Sequence, residues 1–179
     1  MHYMDVLNFW FSECRPAQWF EKDLAFDREV ERRFAAFHRA AAAGELAHWR
    51  LRPQGSLAEV IVLDQFSRNI FRDSPQAFAY DSVALVLAQQ AIANYQDKVL
   101  APIQRAFLYM PFMHSESRVI QQQSVALFSQ PGLEQNYDFA LQHARIIERF
   151  GRYPHRNTLL GRTSSSEERE FLNTPGSSF

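Results

Sequence analysis

The 179-residue chain has a formal net charge of -1, which offers no broad attraction to nucleic acid or anionic lipid. Its length is that of one domain with a sizeable core, and a single cysteine, Cys14, excludes an intrachain disulfide. Sixteen Phe, three Trp and six Tyr against six Gly, with only short runs of Val, Ile and Thr, predict packed helices rather than sheets.

The start, MHYMDVLNFWF, lacks the basic leader and long apolar run of a signal peptide, so a cytoplasmic chain is expected. A short aromatic helix is predicted around Val6 to Phe11. The spacing Phe26, Val30, Phe34, Phe37, Ala41 follows the helical period until Gly44 offers a stop. Ser56 and Glu59 read as a capping box that opens LAEVIVLDQFSRNIF. DSP at 73–75 ends that helix and begins another, with Ser74 as cap and Pro75 as first residue, running toward Tyr95. Its apolar stretch VALVLA, at 83–88, falls far short of the roughly 20 residues of a bilayer span, and no membrane crossing is expected. The next helix begins near Pro102, is bent or broken at Pro111 and continues to SQPG at 129–132. Another spans about Leu133 to Phe150, ended by Gly151 and Pro154. Serines 164–166 with Glu167 and Glu168 open a short last helix before an irregular tail from about 173. No repeat of fixed period is present. The expectation is one all-α domain over 1–179, built of helix hairpins joined by short turns.

Three predicted apolar stripes carry an ionisable intruder at helical spacing. Asp81 lies in line with Phe78, Leu85, Ala88 and Ile92. Glu116 does so with Phe112, Val119 or Ile120 and Leu127, and His143 with Phe139, Ile146 and Phe150. A buried carboxylate must find a cation or hydrogen bonds, or take a proton. Cations are at hand: Asp64, Arg68 and Arg72 share a face, with Gln65 and Asn69 on the neighbouring row, and Arg145, Arg149, Arg152, Arg156 and Arg162 crowd the segment after His143. The plain alternative for each is structural. Arg145 and Arg149 suit a solvated helix C-terminus, Asp81 suits a core arginine, and His143 suits a satisfied core histidine.

LDQFSRNIFR (63–72), FLYMPFMHSE (107–116) and FGRYPHRNTLLGRTSSSEE (150–168) resemble the bacterial family called domain of unknown function 924, over nearly the whole chain. The resemblance implies a tetratricopeptide-like, right-handed array of antiparallel helix hairpins and no established activity. Its pattern falls on Asp64, Gln65, Arg68 and Asn69, on His114, Ser115 and Glu116, and on Arg152, Pro154, His155, Arg156, Asn157, Gly161 and Arg162. Ser67 departs from it, since proline is common there in the family, and Ser164-Ser165 stands where Ser-Thr is usual.

Arginine forks, asparagine amides and histidine together suit a carboxylate or phosphate. The first expectation is therefore a binding module for a small anion or a peptide carboxylate, with Asp64, Arg68, Glu116, His155 and Arg156 around one cleft. The PHRN loop would project His155, Arg156 and Asn157 toward Arg68, Asn69 and His114. The alternative is a cofactor-independent enzyme using His114 or His155 with Glu116 or Asp81 for acid and base work on an anionic substrate. No nucleophile elbow, Walker loop or dinucleotide motif accompanies it. A structural protein–protein adaptor is the second alternative. No metal is expected, because His114 and Glu116 are two residues apart and the arginines repel cations.

Overall fold

The computed structural model describes residues 1–179 and consists of helices and turns, without strands. Helix α1 (Tyr3–Asn8) passes into a π turn at Phe9–Glu13. Asp23 caps α2 (Leu24–Ala42), its carboxylate accepting the N–H groups of Ala25 and Phe26 at 2.8 and 3.2 Å, and this satisfies donors the first helical turn leaves free. The helix buries Phe26, Val30, Phe34, Phe37 and Ala41, as their spacing predicts. Gly44 beyond it takes φ +75, which a residue with a side chain rarely adopts.

Helix α3 (Pro53–Ile61) begins one turn earlier than the capping-box reading expects. Pro53 presets the first turn, so Ser56 and Glu59 lie buried inside the helix, and Glu59 accepts a two-pronged hydrogen bond from Arg50 at 2.6 and 2.7 Å. Gly55 lets this helix meet the preceding turn, since a Cβ there would stand 2.0 Å from the Trp49 carbonyl oxygen. A π turn at Val62–Phe66 follows, then α4 (Ser67–Ile70). Where the family resemblance expects proline, Ser67 has φ -57, an angle proline also adopts. Its hydroxyl donates to the Leu63 carbonyl at 2.6 Å and accepts from His38 Nε2 at 2.8 Å.

The helix predicted from Pro75 to Tyr95 is divided. A 3₁₀ turn, Pro75–Phe78, capped by Ser74, precedes α5 (Asp81–Ala93). Helix α6 (Pro102–His114) runs through Pro111 without a break. Proline removes one hydrogen bond, but Ala106 to Met113 are all buried, and packing outweighs that loss. The break falls at Ser115, which is extended (ψ 138), and α7 (Arg118–Phe128) restarts on a Ser117 cap. Helix α8 (Glu134–Phe150) ends at Gly151 (φ +70), and α9 (Ser166–Leu172) opens on a Ser165–Glu168 capping box.

Helix α3 packs on α1, α5 and α6; α2 packs on α4 and the second π turn; and α6, α7 and α8 follow one another. Aromatic rings close the main core, with Phe34–Phe66 at 4.8 Å, Trp10–Phe66 at 5.5 Å and Trp10–Phe107 at 5.6 Å between centroids. Such pairs add about 0.5–1.5 kcal/mol each beyond their buried area. A smaller cluster of Ile146, Ile147 and Tyr153 holds the C-terminal segment. No helix is long and apolar enough to cross a membrane.

Candidate functional site

The π turn at Val62–Phe66 presents Asp64, 1% exposed, to the last residue of α6, His114. Asp64 Oδ1 lies 2.7 Å from His114 Nδ1, and Oδ2 accepts from Gln65 Nε2 at 2.6 Å. Burial opposes the Asp64 charge, but the His114 ring, Arg68 and the hydrogen bonds outweigh it and hold the carboxyl well below its usual range. Burial likewise pushes His114 below the ordinary imidazole range, against the pull of Asp64. Burial thus favours the neutral form of the ring beside the Asp64 carboxylate. In that state Nδ1 carries the proton donated to Asp64, and Nε2 is the basic nitrogen. His114 lines a cleft of about 330 Å³ and makes no other side-chain hydrogen bond.

Arginines bracket Asp81, the first residue of α5. Arg68 donates to both its oxygens at 2.9 and 3.0 Å, and to the Asp64 carbonyl at 2.7 Å. Arg156 approaches the same carboxylate only to 3.6 Å, and it donates to the His114 carbonyl at 3.0 Å. The Phe78 and Tyr153 rings lie 4.6 and 4.7 Å from the Arg156 guanidinium carbon. Arg156 is buried, and its Nε has no acceptor. Burial, and then the nearby Arg68 charge, hold it below the usual arginine range even with Asp81 and Glu116 in reach. It is an under-compensated cation on the cleft wall.

Glu116 does not sit on a helical stripe. It lies in the link between α6 and α7, and Val119, an expected neighbour on that stripe, is 63% exposed. Its carboxylate accepts from both ends of Arg162, at 2.7 and 2.9 Å, and from the Tyr153 N–H at 2.7 Å. Burial raises its pKa, but the Arg162 and Tyr153 hydrogen bonds prevail and the group is held low, as an ion pair. Arg162 Nε in turn donates to Asn157 Oδ1 at 2.9 Å.

The cleft thus brings together Asp81, His114, Glu116 and Arg156, with Asp64 and Arg68 directly behind them. Other expected residues lie elsewhere. His155 turns away from the cleft, with Tyr153 at 5.8 Å and Phe179 at 4.5 Å between ring centroids. His143, buried in α8, has Nδ1 2.7 Å from the Phe139 carbonyl and lies 3.8 Å from Phe179 between rings. Arg152 grips Glu168 at 2.7 and 2.8 Å, and Asn157 donates to Ser164 at 3.0 Å and to Glu168 at 3.4 Å, so both tie α9 to the loop. Asn69 donates to Asp27 at 2.8 Å, beside the Arg72–Asp27 pair, while Gln65 is confined beside Asp64 and Met110.

Spacing placed Phe78 and Leu85 on the Asp81 stripe but did not mark them, with Pro111 and Leu160, as the apolar half of the cleft. Phe78 reads as an ordinary stripe residue, and the one available signal is Leu160, an apolar residue inside a polar loop. No group of three or more His, Cys, Asp or Glu is arranged to hold a metal ion.

These features define an all-helical protein whose cleft gathers a His–carboxylate pair and arginines at the ends and breaks of its helices. The chain belongs to the family described as bacterial protein of unknown function (DUF924), whose model matches residues 6–176. It is similar to a solved structure, the protein of unknown function ATU0120 from Agrobacterium tumefaciens, with 38% identity, 96% of each chain covered and a TM-score of 0.87. No curated protein matches it.

Proposed function

We propose that the chain binds a small organic anion in the cleft between α5, α6 and the Pro154–Arg156 turn. One observation carries this reading: Arg156, buried and under-compensated, stands on the cleft wall with its nearest carboxylate at 3.6 Å. Burying a cation without a full partner is unfavourable, and an incoming carboxylate would relieve it through charge-assisted hydrogen bonds. The peptide-carboxylate form of the reading rests on the tetratricopeptide-like character the family resemblance implies, and that is analogy.

A second reading, acid–base catalysis, is favoured by the Asp64–His114 pair. A carboxylate that fixes one ring nitrogen as donor leaves the other as a base facing the cleft, within reach of a substrate that Arg156 holds. Glu116 is a weaker candidate for proton transfer, because Arg162 and the Tyr153 N–H already occupy its oxygens.

Thermal unfolding with acetate, phenylacetate or inorganic phosphate against a chloride background tests the binding reading, because a ligand of the folded form raises its apparent stability. The expected result is an upward shift with a carboxylate that added salt weakens, that Arg156→Lys removes and that Arg145→Ala on the exposed face of α8 leaves intact. Equal losses in both variants would assign the effect to diffuse charge.

A further inference from the structure

The cleft has a mixed lining. Asp81, His114, Glu116 and Arg156 supply its charged and polar groups, and Phe78, Leu85, Pro111 and Leu160 its apolar surface. The junction is abrupt, since the Phe78 ring centre is 4.6 Å from the Arg156 guanidinium carbon. An anion seated on Arg156 must therefore place its next atoms against the apolar surface. Leu160 is 36% exposed, and covering it would release water from apolar surface. The charges limit the anion as well. Asp64, Asp81 and Glu116 stand against Arg68, Arg156 and Arg162, three against three, so a single negative charge on Arg156 already uses the one cation without a close partner, and a second would meet only Asp81 and Glu116. A volume of about 330 Å³ lies at the small end of ligand pockets, which span roughly 300–1,000 Å³, and suits a single ring or branched chain.

We infer that the ligand of this cleft is a monocarboxylate bearing one aromatic or branched apolar group, with the carboxylate on Arg156 and the apolar group against Phe78, Leu85 and Leu160. This rests on the small-anion reading and narrows it to a chemical class. A bare anion leaves the apolar surface wet, and a phosphate monoester brings a second charge toward Asp81 and Glu116.

Titration calorimetry at pH 7 with phenylacetate, acetate and phenyl phosphate tests it. Phenylacetate is expected to bind at least about tenfold more tightly than either of the others, the increment expected from burying one face of a ring. Leu160→Gln, with its fold checked by circular dichroism, should bring phenylacetate to within about threefold of acetate. Phenylacetate and acetate binding equally, both lost in Arg156→Lys, would overturn the inference and leave the small-anion reading standing. Tighter binding of phenyl phosphate would overturn the monocarboxylate class, and an unaltered preference in Leu160→Gln would overturn the assigned apolar surface. No binding of any of the three up to about 10 mM, a free energy near -3 kcal/mol, would overturn the inference and the small-anion reading together.

Discussion

Replacing Glu116 by glutamine separates an ion pair from a protonated acid. The carboxylate accepts three hydrogen bonds, two from Arg162 and one from the Tyr153 backbone. The amide keeps one oxygen, enough for the Tyr153 N–H and one Arg162 nitrogen, and turns its NH2 toward the other. One charge-assisted hydrogen bond, about 1.5–3 kcal/mol, becomes a donor facing a donor. The Glu116 side chain is 27% exposed and that of Arg162 23%, so water screens the pair, and the loss stays below the roughly 3–5 kcal/mol of a fully buried one. The expected loss is about 2 kcal/mol at pH 7 by urea unfolding, or about 4–8 °C in Tm for a domain of this size. The pH dependence provides an internal check. Because the folded-state pKa of Glu116 is lowered, its contribution is complete above the ordinary value of 4.5 and fades as pH falls through the folded value. The two proteins should therefore converge in acid. A loss under about 0.5 kcal/mol at pH 7, the range of harmless surface changes, would refute the ion-pair account.

Gly55→Ala should destabilise by more than about 2 kcal/mol in the same unfolding assay, although alanine is the better helix former by about 1 kcal/mol, because its Cβ would collide with the Trp49 carbonyl; a neutral or stabilised variant would refute that contact. Burial first, then neighbouring cations, lower His143 to about 3 and His155 to about 4. Below the ordinary value of 6.5 the unfolded chain therefore binds protons that the folded one does not. Stability should fall between pH 6 and 5 by about 1.4 kcal/mol per pH unit for each such histidine, and His143→Phe should flatten that slope by about one histidine's share. Asp64→Ala leaves Arg68 with only the Asp81 carboxylate and removes the acceptor that holds His114. The expected cost is about 3 kcal/mol, with a changed ring-nitrogen spectrum for His114 by NMR; an unchanged spectrum would show that Asp64 does not set its tautomer.

Most helices were legible because their signals are local. Ser74 and Ser165 cap by hydrogen bonds to N–H groups within three residues, and Gly44 and Gly151 end helices through backbone angles that need no distant partner. The misplaced boundaries depended on tertiary packing. Pro111 survives inside α6 because the residues around it are buried on several sides. Ser56 fails as a cap because Pro53 starts α3 earlier and Glu59 is drawn to Arg50, nine residues away and outside the helix.

The candidate site was legible by residue type more than by geometry. Periodicity marked Asp81 and Glu116 as intruders on continuous helical faces, yet Asp81 opens a helix and Glu116 lies in a break between two. Asp64 sits in a π turn, His114 ends α6 and Arg156 ends a 3₁₀ turn. All five therefore lie where regular backbone stops, and a shared-face argument cannot place such residues because its premise is an uninterrupted helix. What brings them together is the packing of α3 against α5 and α6, through contacts 13 to 50 residues apart in sequence, such as Arg68 to Asp81 and Asp64 to His114. Irregular turns held by a rigid helical frame are also where binding groups concentrate. Polar residues that disturb an apolar stripe therefore carry more information when they fall beside a predicted helix stop. Of the three stripe intruders, Asp81 at the start of α5 and Glu116 in the break after α6 belong to the cleft, whereas His143, in the uninterrupted interior of α8, belongs to the core.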